Sequence, residues 1–249
     1  MTTSREVPAL ARASDLLEAL ASARQPMRAS ALAERTGLSR STLYMLLNSL
    51  EARQWIEKRQ GGFIIGVKLF ELGCAYVHHD GLQAAFRREA SAFVADHNEV
   101  VQLAVLDGAE VIYIAREDAQ RPVRLVSDLG SRLPAHCSAL GKALLASLPD
   151  SELNRVLPKK LIALTAHSST QRDTLLSELS KVRTRGFASE REEVSLGLAC
   201  FACYVGMTPL GKRVAVSTSI PLERLTRRRE STIATSLVRL ASKIGQALH

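Results

Sequence analysis

The chain has 249 residues, 46% hydrophobic and 23% charged, which is enough to bury a sizeable core and to divide into two domains. This globular composition excludes disordered and collagenous chains. No window approaches the roughly 20 apolar residues that span a bilayer, and Met1–Ala9 lacks the apolar run of a secretory signal. A net charge of +8 permits a polyanionic partner, and four cysteines (Cys74, Cys137, Cys200, Cys203) in a chain this long indicate reduced thiols in a cytoplasm rather than a disulfide scaffold.

Residues 9–22 place Leu10, Ala13, Leu17, Leu20 and Ala21 at helical spacing, and Pro26 lies beyond their end. A short second helix beginning near Arg28 turns Ala29, Leu32 and Ala33 inward and stops at Gly37, which can take a left-handed cap. Ser39 stands at the N-cap of a third helix running to about Ala52, with Leu43, Leu46, Leu47 and Leu50 on its core face. Ser41, Tyr44, Met45 and Asn48 point the opposite way, with Arg40 at the margin. Two helices joined around a glycine form a helix-turn-helix, whose second helix enters the major groove. Hydroxyls and guanidinium suit phosphates there, and Asn suits adenine. Trp55–Arg59 and Phe63–Gly66 about Gly61-Gly62 predict a hairpin, or wing, that sets Lys58 and Arg59 beside the DNA backbone. A local basic cluster (Arg24, Arg28, Arg35, Arg40, Arg53, Lys58, Arg59) agrees with this reading. A three-helix protein-interaction module with a solvated polar face is the alternative.

A linker helix follows over 68–88, with a break near Gly73 or Asp80-Gly81, and then a helix over 82–97 that buries Leu82, Phe86, Phe93 and His97. Residues 100–107 and 111–115 predict a hairpin at an Asp-Gly turn, with a third strand at 123–127. Helices are expected at 138–147 and 172–185, the latter with Leu175, Leu176, Leu179 and Val182 inward, and strands at 200–205 and 213–220. A last helix carries Ile233, Leu237, Leu240, Ile244 and Leu248 on one side. The fold class is a winged, otherwise all-α N-terminal domain (1–67), a linker (68–88) and an α+β C-terminal domain (89–249).

Catalytic chemistry finds little support. Ser138-Ala-Leu-Gly141-Lys142-Ala143 lacks the phosphate loop's first glycine, which His136 replaces, and its Ser/Thr, which Ala143 replaces. His136-Cys137-Ser138 offers a base beside two nucleophiles without a third group, so a His136/Cys137 hydrolase is only an alternative. Cys200 and Cys203 lie three apart in a strand and face opposite ways, which disfavours a shared metal; redox sensing through them is a second alternative. His78-His79-Asp80 reads as a metal site or an exposed loop, Glu192-Glu193 as a solvated pair, and Arg227-Arg228-Arg229 as a wet helix face. No catalytic set, metal or cofactor is expected. Ser217 and Ser219 share one strand face, and Ser138–Gly141 opens a helix whose free N–H groups favour an anion. With Cys200 these residues would line a small-anion pocket; otherwise both serines satisfy local hydrogen bonds.

The sequence resembles the IclR family of bacterial transcriptional regulators. The shared segments are Leu32-Ala-Glu-Arg-Thr-Gly-Leu-Ser-Arg-Ser-Thr42, Leu46-Leu47-x-x-Leu50-Glu51, Ile65-Gly66, Gly130-Ser-Arg-Leu-Pro-Ala-His136, Ala139-Leu-Gly-Lys-Ala-Leu-Leu-Ala146, Arg185-Gly-Phe-Ala188, Glu192-Glu193, Gly197-x-x-Cys200 and Ser217-x-Ser219. The resemblance implies a winged helix-turn-helix, a GAF-like effector domain, homodimers or homotetramers, a double-stranded DNA operator and a small organic acid effector. It carries DNA contact to Arg28, Ser39, Arg40, Ser41, Thr42, Tyr44, Met45, Asn48, Lys58 and Arg59. The Ala139 and Leu140 N–H groups would meet the acid's carboxylate, and Glu190, Cys200, Ser217 and Ser219 would form the polar wall. Glu190 stands where the family often has Asp, and Ala202-Cys203-Tyr204 where it usually has Ala-Ala-Pro.

Overall fold

The computed structural model describes residues 7–78, 81–121 and 125–248, in two compact units, Met1–His79 and Asp80–His249. The first unit contains helices α1 (Pro8–Ala21), α2 (Ala29–Thr36) and α3 (Arg40–Ala52), the hairpin β1 (Ile56–Arg59) and β2 (Gly62–Ile65), and helix α4 (Val67–His78). Gly37 ends α2 at φ +66°, a conformation open to glycine at little cost. The Ser39 hydroxyl accepts from the Thr42 N–H and starts α3 as expected. Arg28 occupies the N-cap of α2 without a side-chain cap.

Leu16, Ala19, Leu20, Leu32, Leu43, Leu47, Leu50, Ile56 and Phe63 make this unit's core. Leu10, expected inside, is 67% exposed, because the stripe that meets α2 and α3 is set by Leu16, Ala19 and Leu20 further along the helix. In the wing Arg59 pairs with Gly62, so the turn is Gln60-Gly61 rather than Gly61-Gly62. Phe63 also bridges to Met27, tying the wing to the segment before α2.

The second unit runs through α5 (Leu82–His97), β3 (Val100–Asp107), β4 (Glu110–Glu117), β5 (Arg132–Pro134), α6 (Ala139–Ala146), α7 (Asp150–Val156), α8 (Arg172–Arg185), β6 (Ala188–Arg191), β7 (Leu198–Met207), β8 (Arg213–Pro221) and α9 (Arg227–Gly245). The predicted linker stretch 68–88 comprises most of α4 and the start of α5. The six strands form one antiparallel sheet in the order β5-β4-β3-β8-β7-β6. The hairpin between β3 and β4 turns at Gly108-Ala109, one residue later than expected. The edge strand beside β4 is β5: Leu125–Ser127 are not strand, and residues 123 and 124 of the expected strand lie outside the described residues.

Strand alternation separates two cores. Leu103, Val105, Phe201, Cys203, Val214 and Val216 face α5 and α9, meeting Phe86, Phe93, Ile233, Leu237 and Ile244. Ala104, Ala202 and Ala215 face α6, whose every residue is buried. Small side chains on that face admit a close helix. At Gly141 a Cβ would stand 2.1 Å from the Ala135 carbonyl oxygen, so only glycine fits. Among the described residues no helix is long and apolar enough to cross a membrane.

Candidate effector cavity and nucleic-acid interface

The sheet face beneath α6 changes character along its strands. Where Ala104, Ala202 and Ala215 end, Gln102 and Ser217 stand opposite each other on β3 and β8, and Glu190, Cys200 and Ser219 form a cross-strand row on β6, β7 and β8. These polar side chains are buried or nearly so, and with the α6 start they line a small cavity of about 30 Å3. All six residues expected at the effector site (Ala139, Leu140, Glu190, Cys200, Ser217, Ser219) line it.

The local chemistry follows from the helix start. Ser138 caps α6, its hydroxyl accepting from Gly141 N–H at 3.0 Å and its carbonyl from Lys142 N–H at 2.9 Å. The N–H groups of Ala139 and Leu140 have no acceptor among the described residues, as expected of a first turn. Cys200 Sγ lies 3.2 Å from Ser219 Oγ. Glu190 is 3% exposed; its Oε2 accepts from Glu193 N–H at 2.8 Å, and its Oε1 has no hydrogen-bond partner. Burial pushes the Glu190 carboxyl above the usual carboxylate range, and Glu193 adds to this. The neighbouring Cys200 thiol, the Glu193 amide and Lys142 only partly offset it.

Sequence reasoning missed a second polar cluster at this cavity. Gln102 Nε2 donates to the Ser127 carbonyl at 3.1 Å and to its hydroxyl at 3.0 Å, beside Tyr113. An inward Gln in an otherwise apolar strand, Val100-Val-Gln-Leu-Ala-Val, was the available signal. Tyr204, which stands where the resemblance leads one to expect Pro, lies outside the cavity lining and borders a separate depression with Ala143 and Arg183.

Two readings of charge are corrected. Glu193 is buried rather than solvated. It binds Lys142, whose ammonium also donates to Glu178 Oε2 at 2.7 Å. Arg229 is half-buried rather than wet and donates to the fully buried Glu99 at 2.7 Å, while Arg227 and Arg228 are exposed. His136 Nε2 lies 2.8 Å from the Ile162 carbonyl oxygen, Ser138 is a helix cap, and burial pushes the Cys137 thiol up to about 12, so the trio assembles no nucleophile and base. Cys200 and Cys203 occupy opposite sheet faces, and burial raises both thiols. Of His78-His79-Asp80, residues 79 and 80 and the His78 side chain lie outside the described residues. No metal-holding group of His, Cys, Asp or Glu occurs among the described residues.

On the first unit, Arg28, Arg40, Ser41, Tyr44, Met45, Asn48 and Lys58 are exposed, Met45 by 65%. The Arg40 guanidinium lies 5.9 Å from the centre of the Tyr44 ring, one helical turn away. Ser39 is occupied as a cap and also donates to Thr42 Oγ1 at 2.9 Å. Arg59 is paired with Glu57.

Residues 9–60 match the IclR helix-turn-helix domain, and residues 74–246 match the C-terminal domain of IclR bacterial transcriptional regulators. The chain belongs to the IclR family. It is a transcriptional regulator that joins a DNA-binding helix-turn-helix domain to the family's GAF-like, effector-binding domain. It is 32% identical to the HTH-type transcriptional regulator Rv1719 of Mycobacterium tuberculosis, over 98% of this chain and 93% of that protein. Such IclR relatives are regulators rather than enzymes. A transcriptional regulator structure from Rhodococcus sp. superposes with a TM-score of 0.82 at 28% identity, covering 98% of each chain. The fold is also that of an IclR homolog from Microbacterium hydrocarbonoxydans complexed with 4-hydroxybenzoate, with a TM-score of 0.82 at 22% identity over 96% of this chain and 98% of that one.

Proposed function

We propose that this regulator is cytoplasmic and that a small organic acid, bound in the cavity beneath α6, modulates its affinity for a double-stranded DNA operator. The division is 1–67 for the reader, 68–88 for the linker and 89–249 for the sensor. The observation that carries the proposal is the pairing, in one buried cavity, of the unpaired Ala139 and Leu140 N–H groups with the Ser217, Ser219, Cys200 and Glu190 wall. A carboxylate answers those N–H groups, and the apolar Leu133 and Leu198 on the lining fit the remainder of a small acid. On the DNA side, Arg40, Ser41, Asn48 and Lys58 present exposed donors, and Met45 and Tyr44 present apolar surface fit for a thymine methyl. Arg28, Ser39, Thr42 and Arg59 complete the proposed interface. Ser39 serves chiefly as the α3 cap, and Arg59 reaches a phosphate by leaving Glu57. The chain works as a homodimer or homotetramer: Val67 and Phe70, one turn apart on α4, are 66% and 74% exposed, an apolar pair suited to a second copy.

A thermal-shift screen of carboxylic and aromatic acids on wild type and Ser217→Ala tests the sensor. A binding acid stabilises the protein in proportion to the logarithm of its concentration over Kd. The expected result is a shift in wild type that shrinks or vanishes in the variant. A full screen without a shift, or a shift indifferent to Ser217, rejects an acid sensor at this cavity and leaves DNA binding standing.

A further inference from the structure

The cavity contains a carboxyl group where an anion is to bind. Among the described residues lining it there is no Lys, Arg or His, and Glu190 is the one acid. Lys142, the cation that acts on Glu190, is already held between Glu178 and Glu193. Glu190 Oε2 is satisfied by the Glu193 amide, whereas Oε1 is buried and unpartnered beside the cavity. Two carboxylates facing each other in so dry a space repel, and one proton shared between them turns the repulsion into a charge-assisted hydrogen bond. The inference rests on the acid-effector reading. We propose that Glu190 is the specificity-determining residue of the cavity and receives an anionic acid as a carboxylic acid, its Oε1–H donating to the ligand, so that one proton accompanies each bound anion.

Burial and the Glu193 carboxylate favour a neutral Glu190 and outweigh the Cys200 thiol, the Glu193 amide and Lys142, which favour the ionised form. Glu193 lies on its own loop, Cys200 across on β7, Tyr113 on β4, Cys137 ahead of α6, and Lys142 on α6. The first four add negative charge when they ionise, and burial pushes the two thiols and the phenol up, so all three stay neutral near pH 7. Lys142 is the single opposing charge, and its ammonium is shared by two other carboxylates.

Two measurements on the full-length protein decide the point. The first needs no ligand: the Glu190 carboxyl is titrated by 13C NMR, its resonance assigned by its loss in Glu190→Gln. Titration above the ordinary carboxylate range supports the proposal, and titration within it overturns the proposal. The second is calorimetric binding of pyruvate and of 4-hydroxybenzoate from roughly pH 6 to 9, where both carboxylates stay ionised. Above the Glu190 pKa the wild-type Kd should rise about tenfold per pH unit, by linkage of one proton. Glu190→Gln, whose amide N–H replaces the O–H, should bind with a flat profile. A wild-type Kd that stays flat across the pH range in which NMR shows Glu190 losing its proton overturns the proposal, as does a Glu190→Gln that loses affinity equally at every pH, since either means that the Glu190 proton does not govern binding. If neither acid binds at any pH, that counts against the acid-effector reading, and the NMR titration still decides the state of Glu190.

Discussion

Lys142 is among the largest fully buried side chains of the described residues, alongside Phe201 and the core leucines. Its ammonium tolerates burial because Glu178 and Glu193 both meet it. Glu193 in turn accepts from Ser169 N–H at 3.2 Å, and its carbonyl accepts from Ser168 Oγ at 2.6 Å. The pair therefore anchors the loop that brings Val194 and Ser195 to the cavity and the Glu193 amide to Glu190. Lys142→Met preserves most of the volume but leaves Glu193 buried without its cation. Urea unfolding should show a loss of about 3–5 kcal/mol, and any acid ligand should bind more weakly because its wall is released. A variant as stable as wild type would show that the ion pair is dispensable. The sequence offered Lys142 only as part of a failed phosphate loop. Its partners lie 36 and 51 residues away, and no local spacing could have paired them.

At the scale of elements, α3 holds its apolar and polar faces apart with Leu43, Leu47 and Leu50 in the core and Arg40, Ser41, Tyr44, Met45 and Asn48 in solvent. Arg40→Ala and Asn48→Ala remove exposed groups only, so thermal stability should stay within about 0.5 kcal/mol of wild type while footprinting shows loss of specific operator protection. Normal footprints from both would place the reading face elsewhere. Ser39→Ala differs, since it removes a cap and should cost about 1 kcal/mol of stability, measurable by the same melts. The helices legible in the sequence are those whose signals are local: a cap, a glycine stop, leucines at i, i+3 and i+4. The ones left out are short. The seven-residue α7 buries only Leu153, and the four-residue β6 carries Glu190 as a charged residue in an edge strand. Each is defined by what packs on it rather than by its own pattern. The Ser217–Ser219 face was readable from alternation, whereas its meeting with Gln102 required the β3–β8 register.

For the whole molecule, a reader and a sensor joined through α4 and α5 are useful only if their ligands are thermodynamically coupled. Operator binding should first show its electrostatic origin, with the logarithm of affinity falling linearly in the logarithm of salt by about 0.9 for each phosphate neutralised on duplex DNA. Exposed Arg28, Arg40 and Lys58 set the expectation of a steep slope, steeper still for the proposed dimer, and a shallow one would contradict a DNA-binding basic surface. An acid that changes operator affinity by some factor must have its own affinity changed by the operator by the same factor, because the coupling free energy belongs to the pair of sites and not to either. The direction does not matter to this argument, so repression and activation obey it alike. Titrating the acid against the free and the operator-saturated protein gives one factor, and titrating operator without and with saturating acid gives the other, all at one pH and one salt concentration. Equal factors confirm that one coupled equilibrium is being read, and loss of both in Ser217→Ala would assign the acid's action to the cavity beneath α6. An acid effect on operator binding that survives Ser217→Ala would locate the control outside this cavity.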